Sequence, residues 1–93
     1  MAVLVQNYGA GWNEELYQAT FDRAIPDRAK PPAGLVAHLA APGENGGWQV
    51  VEVWESEAEF RQFLEGTLMP FAQELGAPPF DTSVVELHNS LIP

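Results

Sequence analysis

Apolar and polar positions alternate in blocks that change period along the chain. Ala2 to Tyr8 (AVLVQNY) is a short run rich in β-branched residues that ends at Gly9 and Gly11, which predicts a strand. Asn13 then has the side chain of a helix cap, with Glu14 and Glu15 in the first turn, where the helix dipole favours negative charge. Leu16, Tyr17, Thr20, Phe21 and Ala24 recur at helical spacing, and Pro26 stops the helix. After a stiff loop through Lys30, Pro31 and Pro32, Gly34 leads into a second strand, Leu35 to Ala41. Gly43-Glu44-Asn45-Gly46-Gly47 is a hairpin loop, and Trp48 to Glu55 (WQVVEVWE), densest in β-formers, is a central strand. Ser56 and Glu59 form a capping box, and Phe60, Phe63, Leu64, Leu68, Phe71 and Leu75 follow at intervals of three and four. Gly66 and Pro70 interrupt that helix, so a kink or two abutting helices are expected between Gly66 and Phe71. Gly76 and Pro78-Pro79 end it, and Thr82 to Asn89 is the last strand.

The order β-α-β-β-α-β predicts an α+β protein of the ferredoxin-like kind, with a four-stranded antiparallel sheet in the order four, one, three, two. Both helices then lie on one face. The other face also needs cover, because strand two is apolar on both sides: Leu35, Ala37 and Leu39 point one way, and Val36, His38 and Ala40 the other. A second copy of the sheet is the simplest cover.

Length makes that expectation sharper. The 93 residues suit one domain, 1–93, and a chain so short buries only roughly 60–65% of its unfolded surface. With no cysteine there are no disulfides or thiolate zinc sites to add stability. The opening MAVLVQNYGAG has no basic segment of a signal peptide, and no apolar run approaches the roughly 20 residues of a membrane span, so a cytoplasmic protein is expected.

The hairpin brings chemistry together. A five-residue loop between Pro42 and Trp48 sets His38 opposite Glu52 and Val36 opposite Trp54, on the face that also carries Trp48 and Val50. A carboxylate beside an imidazole fixes its tautomer and raises its basicity, which suits a general base near neutral pH. The same pair can equally be a satisfied buried polar contact without chemistry. His88 reaches either a pocket mouth or solvent, and Asn7, late in strand one, is a strand-end hydrogen-bond partner or a site residue. The two His lack metal-ligand spacing, Gly9-Ala10-Gly11 lacks the context of a phosphate loop, and no nucleophile motif occurs. Catalysis, if present, is acid–base or oxygen chemistry, with no metal and no cofactor.

A net charge of −9, from thirteen Asp and Glu against four Lys and Arg, argues against nucleic acid and against anionic membranes. Three of the four cations, Arg23, Arg28 and Lys30, fall close together. They either balance Asp22 and Asp27 locally or form a cationic rim for an acidic ligand.

The segment Val50 to Phe71 (VVEVWESEAEFRQFLEGTLMPF) resembles the dimeric α/β-barrel superfamily, in particular the antibiotic biosynthesis monooxygenase domain. The matching features are Glu52, Trp54 and the acidic-capped helix at Ser56–Glu59, and the remaining elements agree in order across nearly the whole chain. The resemblance implies a homodimer whose sheets close into a barrel, with a pocket between sheet and helices in each subunit. Cofactor-free oxygenases of aromatic polyketides in this superfamily carry an Asn and a Trp four residues apart on strand three, near a His on strand two. Trp54 and His38 match, while Val50 stands where the Asn would be. In the haem-degrading branch Asn7 has a counterpart, but Phe63 and Gln73 replace the other two residues.

The implied site has His38 as base, Glu52 orienting it, and Trp54 and Asn7 positioning a ring. Its floor is Val3, Val5, Asn7, His38, Val50, Glu52 and Trp54, and its roof is Tyr17, Phe60, Phe63, Leu64 and Phe71, with His88 at the mouth. The expected ligand is a planar hydrophobic aromatic molecule. The expected function is a monooxygenase-like reaction on a polyketide-type substrate. A cyclase or isomerase reaction in the same pocket, and non-catalytic ligand binding by a dimer, are the alternatives.

Overall fold

The computed structural model describes residues 1–93. Its elements are β1 (Val3–Gly9), α1 (Glu14–Ala24), β2 (Leu35–Pro42), β3 (Trp48–Trp54), α2 (Glu57–Phe63), a π-helical turn (Leu64–Leu68), α3 (Met69–Glu74) and β4 (Asp81–Glu86). The sheet is antiparallel with strand order β2-β3-β1-β4, as the connectivity predicts. The caps form at the expected residues: the Asn13 side chain accepts from the Leu16 amide, and the Ser56 hydroxyl accepts from the Glu59 amide. In the hairpin loop Gly46 and Gly47 take φ of 99° and 72°, a region in which only glycine is unstrained.

Three details refine or correct the sequence expectation. The interruption expected between Gly66 and Phe71 is present as a π turn between α2 and α3: the helix widens by one residue over Leu64–Leu68, where the Met69 amide reaches back to the Leu64 carbonyl. Pro70, without an amide hydrogen, falls in the first turn of the α-helix that follows. The wide turn lets Phe63 and Leu68, five residues apart, both line the same cleft. Second, β4 stops at Glu86, so His88 and Asn89 lie outside the sheet. Third, a bulge at Val36 shifts the register between Leu35 and Ala37. Leu35 rather than Val36 therefore pairs with Trp54, and Val36 turns outward. From Ala37 onward the expected register holds, with His38 opposite Glu52.

One core cluster unites Val3, Val5, Trp54, Phe60 and Leu64 between the sheet and the long helix, and Trp54, Phe60 and Val5 are completely buried. Only ten residues in all are buried, so the core of one chain is small. The opposite face of the sheet stays open. Leu39 is 66% exposed there and Val85 53%, next to Leu4, Val51 and Val53 in register across β1 and β3.

Candidate functional site

A cleft opens beside this core, between the helix-covered face of the sheet and α1. Its walls bound about 600 Å³ with the open mouth counted. Asn7, His38, Val50 and Glu52 form the sheet wall, and Tyr17 and Phe21 stand over it from α1. Phe63 and Leu68 close it from the long helix, and Trp12, Trp48 and Phe80 supply the remaining aromatic surface. Trp12 is locked in place: its indole nitrogen donates to the Pro78 carbonyl at 2.8 Å, and its ring meets Phe80 edge-on. Gly9 makes room for it, since a Cβ at that position would come within 2.2 Å of the Trp12 ring.

Four polar side chains form a chain through this apolar surround. The Tyr17 hydroxyl lies 2.5 Å from His38 Nε2, and His38 Nδ1 lies 2.6 Å from Glu52 Oε2. The Trp54 indole nitrogen donates to Glu52 Oε1 at 3.1 Å. Burial first, and the Glu52 charge second, push the Tyr17 phenol up to about 12, while Arg28 pulls it down and Asp22 adds a smaller upward push. Tyr17 thus keeps its proton at neutral pH and donates it to Nε2. The network then assigns the remaining imidazole proton to Nδ1, donated to Glu52. Glu52, only 5% exposed, accepts from two donors and so has both oxygens satisfied. Aromatic rings hold the imidazole on its flanks, with Phe21 at 5.2 Å and Tyr17 at 5.9 Å between ring centres.

Two further groups face the cleft with unused hydrogen-bonding capacity. Asn7 Oδ1 accepts from the Thr82 hydroxyl at 2.6 Å, which leaves its amide nitrogen without a protein partner. Trp48, 5.2 Å from the Tyr17 ring, has its indole nitrogen buried with no partner at all. No cluster of three or more His, Asp or Glu side chains is placed to hold a metal ion.

Of the residues expected to line the site, Asn7, Tyr17, His38, Val50, Glu52 and Phe63 share the cleft. Val3, Val5, Trp54, Phe60 and Leu64 lie in the core instead, because Phe60 of α2 and Leu64 of the π turn pack against Val3, Val5 and Trp54 of the sheet. Trp54 has no exposed surface, so it meets Glu52 rather than a ligand. Phe71 lies under the Arg23 guanidinium, 5.3 Å away and off the cleft wall. His88 is exposed beyond the end of β4. Sequence reasoning missed Trp12, Phe21, Leu68 and Phe80 as cleft residues and did not count Trp48 among the binding residues. Phe21 was recoverable, one turn after Tyr17 on the same helix face. Trp12 and Phe80 come from loops, where no periodicity reports direction.

No family model matches the sequence, and no curated protein matches it. Solved structures do match the fold. SnoaB, a cofactor-independent oxygenase from Streptomyces nogalater, is 19% identical and aligns over 97% of this chain and 95% of its own, with a TM-score of 0.65. Rv0793 from Mycobacterium tuberculosis is 16% identical over 97% of this chain and 98% of its own, with a TM-score of 0.71. A Deinococcus radiodurans protein proposed to be an antibiotic biosynthesis monooxygenase is 14% identical over 100% and 98%, with a TM-score of 0.61. At these identities the likeness establishes architecture: the chain shares the ferredoxin-like βαββαβ fold of these proteins.

Proposed function

We propose that the chain is a cofactor-independent monooxygenase-like enzyme acting on a hydrophobic aromatic small molecule, and that it works as a homodimer. The observation that carries this reading is the Tyr17–His38–Glu52 chain on the wall of an aromatic cleft. The name of SnoaB, a cofactor-independent oxygenase of the same fold, supports it.

The proton path follows from the hydrogen bonds. With Nε2 of His38 occupied by the Tyr17 hydroxyl, the substrate meets Tyr17 first. A phenolic or enolic proton passes to the Tyr17 oxygen as the Tyr17 proton moves to Nε2. The imidazolium that forms faces the Glu52 carboxylate, which is already fixed by the Trp54 indole. Tyr17 is the residue in contact with substrate, while Glu52 and Trp54 are positioning residues. Trp48 Nε1 and the Asn7 amide are donors that a substrate oxygen would satisfy. The resulting carbanion gives an electron to dioxygen, the two radicals combine to a peroxide anion, and the proton held on His38 returns through Tyr17 to make the hydroperoxide. Loss of water leaves a carbonyl where a CH2 stood, so that RH2 and O2 become R=O and H2O.

The open sheet face supports the dimer. Leu4, Leu39, Val51, Val53 and Val85 present an apolar surface that one small core leaves uncovered. No helix of the chain is long and apolar enough to cross a membrane.

A second reading keeps the same deprotonation but ends in cyclisation or isomerisation. Val50 favours it, since a polar side chain at that place on β3 would face the cleft beside Glu52 and here is absent. Oxygen uptake with an anthrone-type substrate separates the two. Uptake abolished by His38→Ala supports the oxygenase; turnover that continues unchanged without oxygen supports the cyclase. Turnover that survives His38→Ala intact would remove the histidine from the mechanism.

A further inference from the structure

Two of the four cations are neutralised by neighbours: Arg23 bonds Glu74, and Arg61 bonds Glu57. Arg28 and Lys30 have no acidic partner within ion-pair distance. The acids nearest Arg28 in sequence are engaged elsewhere, Asp27 with the Ala29 amide and Asp22 with the Gln18 side chain. Arg28 is exposed and lies just outside the residues that line the cleft. Its guanidinium stands 5.5 Å from the centre of the Phe21 ring, and Phe21 is part of the cleft wall, 5.2 Å from the His38 ring. Its charge is felt at the Tyr17 hydroxyl, where it opposes the effect of burial. Lys30, two residues on, has no such ring beneath it.

A guanidinium stacked on an aromatic wall keeps its edge free, and that edge matches a carboxylate with two parallel hydrogen bonds. The rest of the surface works the other way. With thirteen acidic side chains against four basic ones, an anion is repelled over most of the molecule and meets attraction where a cation is unpaired. We infer that Arg28 anchors an anionic group of the ligand and that the cleft takes an aromatic carboxylate, its acid at the mouth against Arg28 and its ring against Phe21 and Trp48. This rests on the small-molecule reading of the cleft and adds to it the charge of the substrate and the end by which it is held.

The test uses 2-naphthoate and its uncharged counterpart 2-naphthamide as probes, with binding read from tryptophan fluorescence and calorimetry. The unaltered protein should bind the acid about tenfold more tightly than the amide, the value of one charge-assisted contact. That preference should shrink as salt rises from about 20 mM to about 500 mM, since the contact sits at an open mouth. Arg28→Gln should bind the amide as before and lose the preference, while Arg28→Lys should keep part of it. Lys30→Gln should leave it unchanged. A preference that survives Arg28→Gln, or that Lys30→Gln removes equally, overturns the assignment to Arg28. Equal binding of both probes, insensitive to Arg28→Gln, overturns the carboxylate but leaves the aromatic cleft standing. If neither probe binds the unaltered protein, the reading of the cleft fails and the anchor falls with it.

Discussion

Replacing Glu52 by glutamine should reverse the chemistry of the site at small cost to the fold. Glu52 accepts two hydrogen bonds, from His38 Nδ1 and from the Trp54 indole, and a glutamine has one acceptor oxygen and one NH2 donor. Trp54 has no exposed surface and only a donor, so it claims the oxygen. The NH2 group then points at His38 Nδ1, which can receive it only by giving up its proton. The imidazole changes tautomer: Nε2 becomes the N–H, and it donates to the Tyr17 oxygen. Every group stays satisfied, so the loss of a charged acceptor costs about 1 kcal/mol, or roughly 4–8 °C in Tm for a domain of this size. The proton path is blocked, because Nε2 no longer accepts, and loss of a general base lowers turnover about 10²–10⁴-fold. Glu52→Ala behaves differently. It leaves the Trp54 indole nitrogen buried and unpaired and opens a cavity beside it, which together cost about 2–4 kcal/mol. Nitrogen-15 spectra of the imidazole ring, taken with His88→Asn so that His38 alone reports, read the tautomer directly, and denaturant unfolding reads the stability. A His38 that keeps its proton on Nδ1 in Glu52→Gln, or a glutamine variant as unstable as the alanine one, would contradict the role given to Glu52.

The remaining expectations are simpler. In a Tyr8→Phe background Tyr17 is the sole tyrosine, and its ultraviolet phenolate signal should appear at about pH 12 rather than 10.0. Because the folded state raises this pKa, the associated stability is complete below pH 10 and drains away as pH rises toward 12. Solvent screening at the half-buried hydroxyl keeps it to about 1 kcal/mol, and ionisation near 10 in a still-folded protein contradicts the burial of the hydroxyl beside the Glu52 charge. Gly66 is exposed, helical and free of the left-handed region, and a Cβ there meets nothing within 4 Å. Gly66→Ala should therefore stabilise by about 0.5–1 kcal/mol in denaturant unfolding, and a loss would mean that the wide turn depends on glycine. Leu39→Asp, on the open sheet face, should give a folded monomer by light scattering. An unchanged mass would place the dimer contact elsewhere or show that none exists.

Much of the architecture was legible residue by residue. Asn13 and Ser56 marked helix starts because their side chains satisfy backbone amides within the next turn, a purely local event. The Gly-rich loop fixed the hairpin, and the hairpin fixed His38 opposite Glu52, since register along an antiparallel pair propagates from the turn. That propagation ended at Val36, where a bulge set by the fit of Leu35 into the core changed the partner of Trp54. Local spacing also showed that Gly66 and Pro70 disturb the long helix. Whether it would break or widen depended on packing against the sheet and α1, which chose a π turn that aims both Phe63 and Leu68 into the cleft.

The site divides along the same line. Period-two alternation alone puts His38, Glu52 and Trp54 on one face of a hairpin, so the residues able to carry acid–base chemistry were visible in the chain. What each of them touches follows from how the elements pack. The α1 helix crosses that face at a height that brings the Tyr17 hydroxyl to Nε2, and the core swallows Trp54 so that its indole serves Glu52 instead of a ligand. Loop residues distant in sequence, Trp12 and Phe80, complete the cleft through a contact that no local pattern encodes. Hydrogen bonding and alternation act over a few residues and are written in the chain, whereas the depth of burial and the meeting of elements belong to the packed whole.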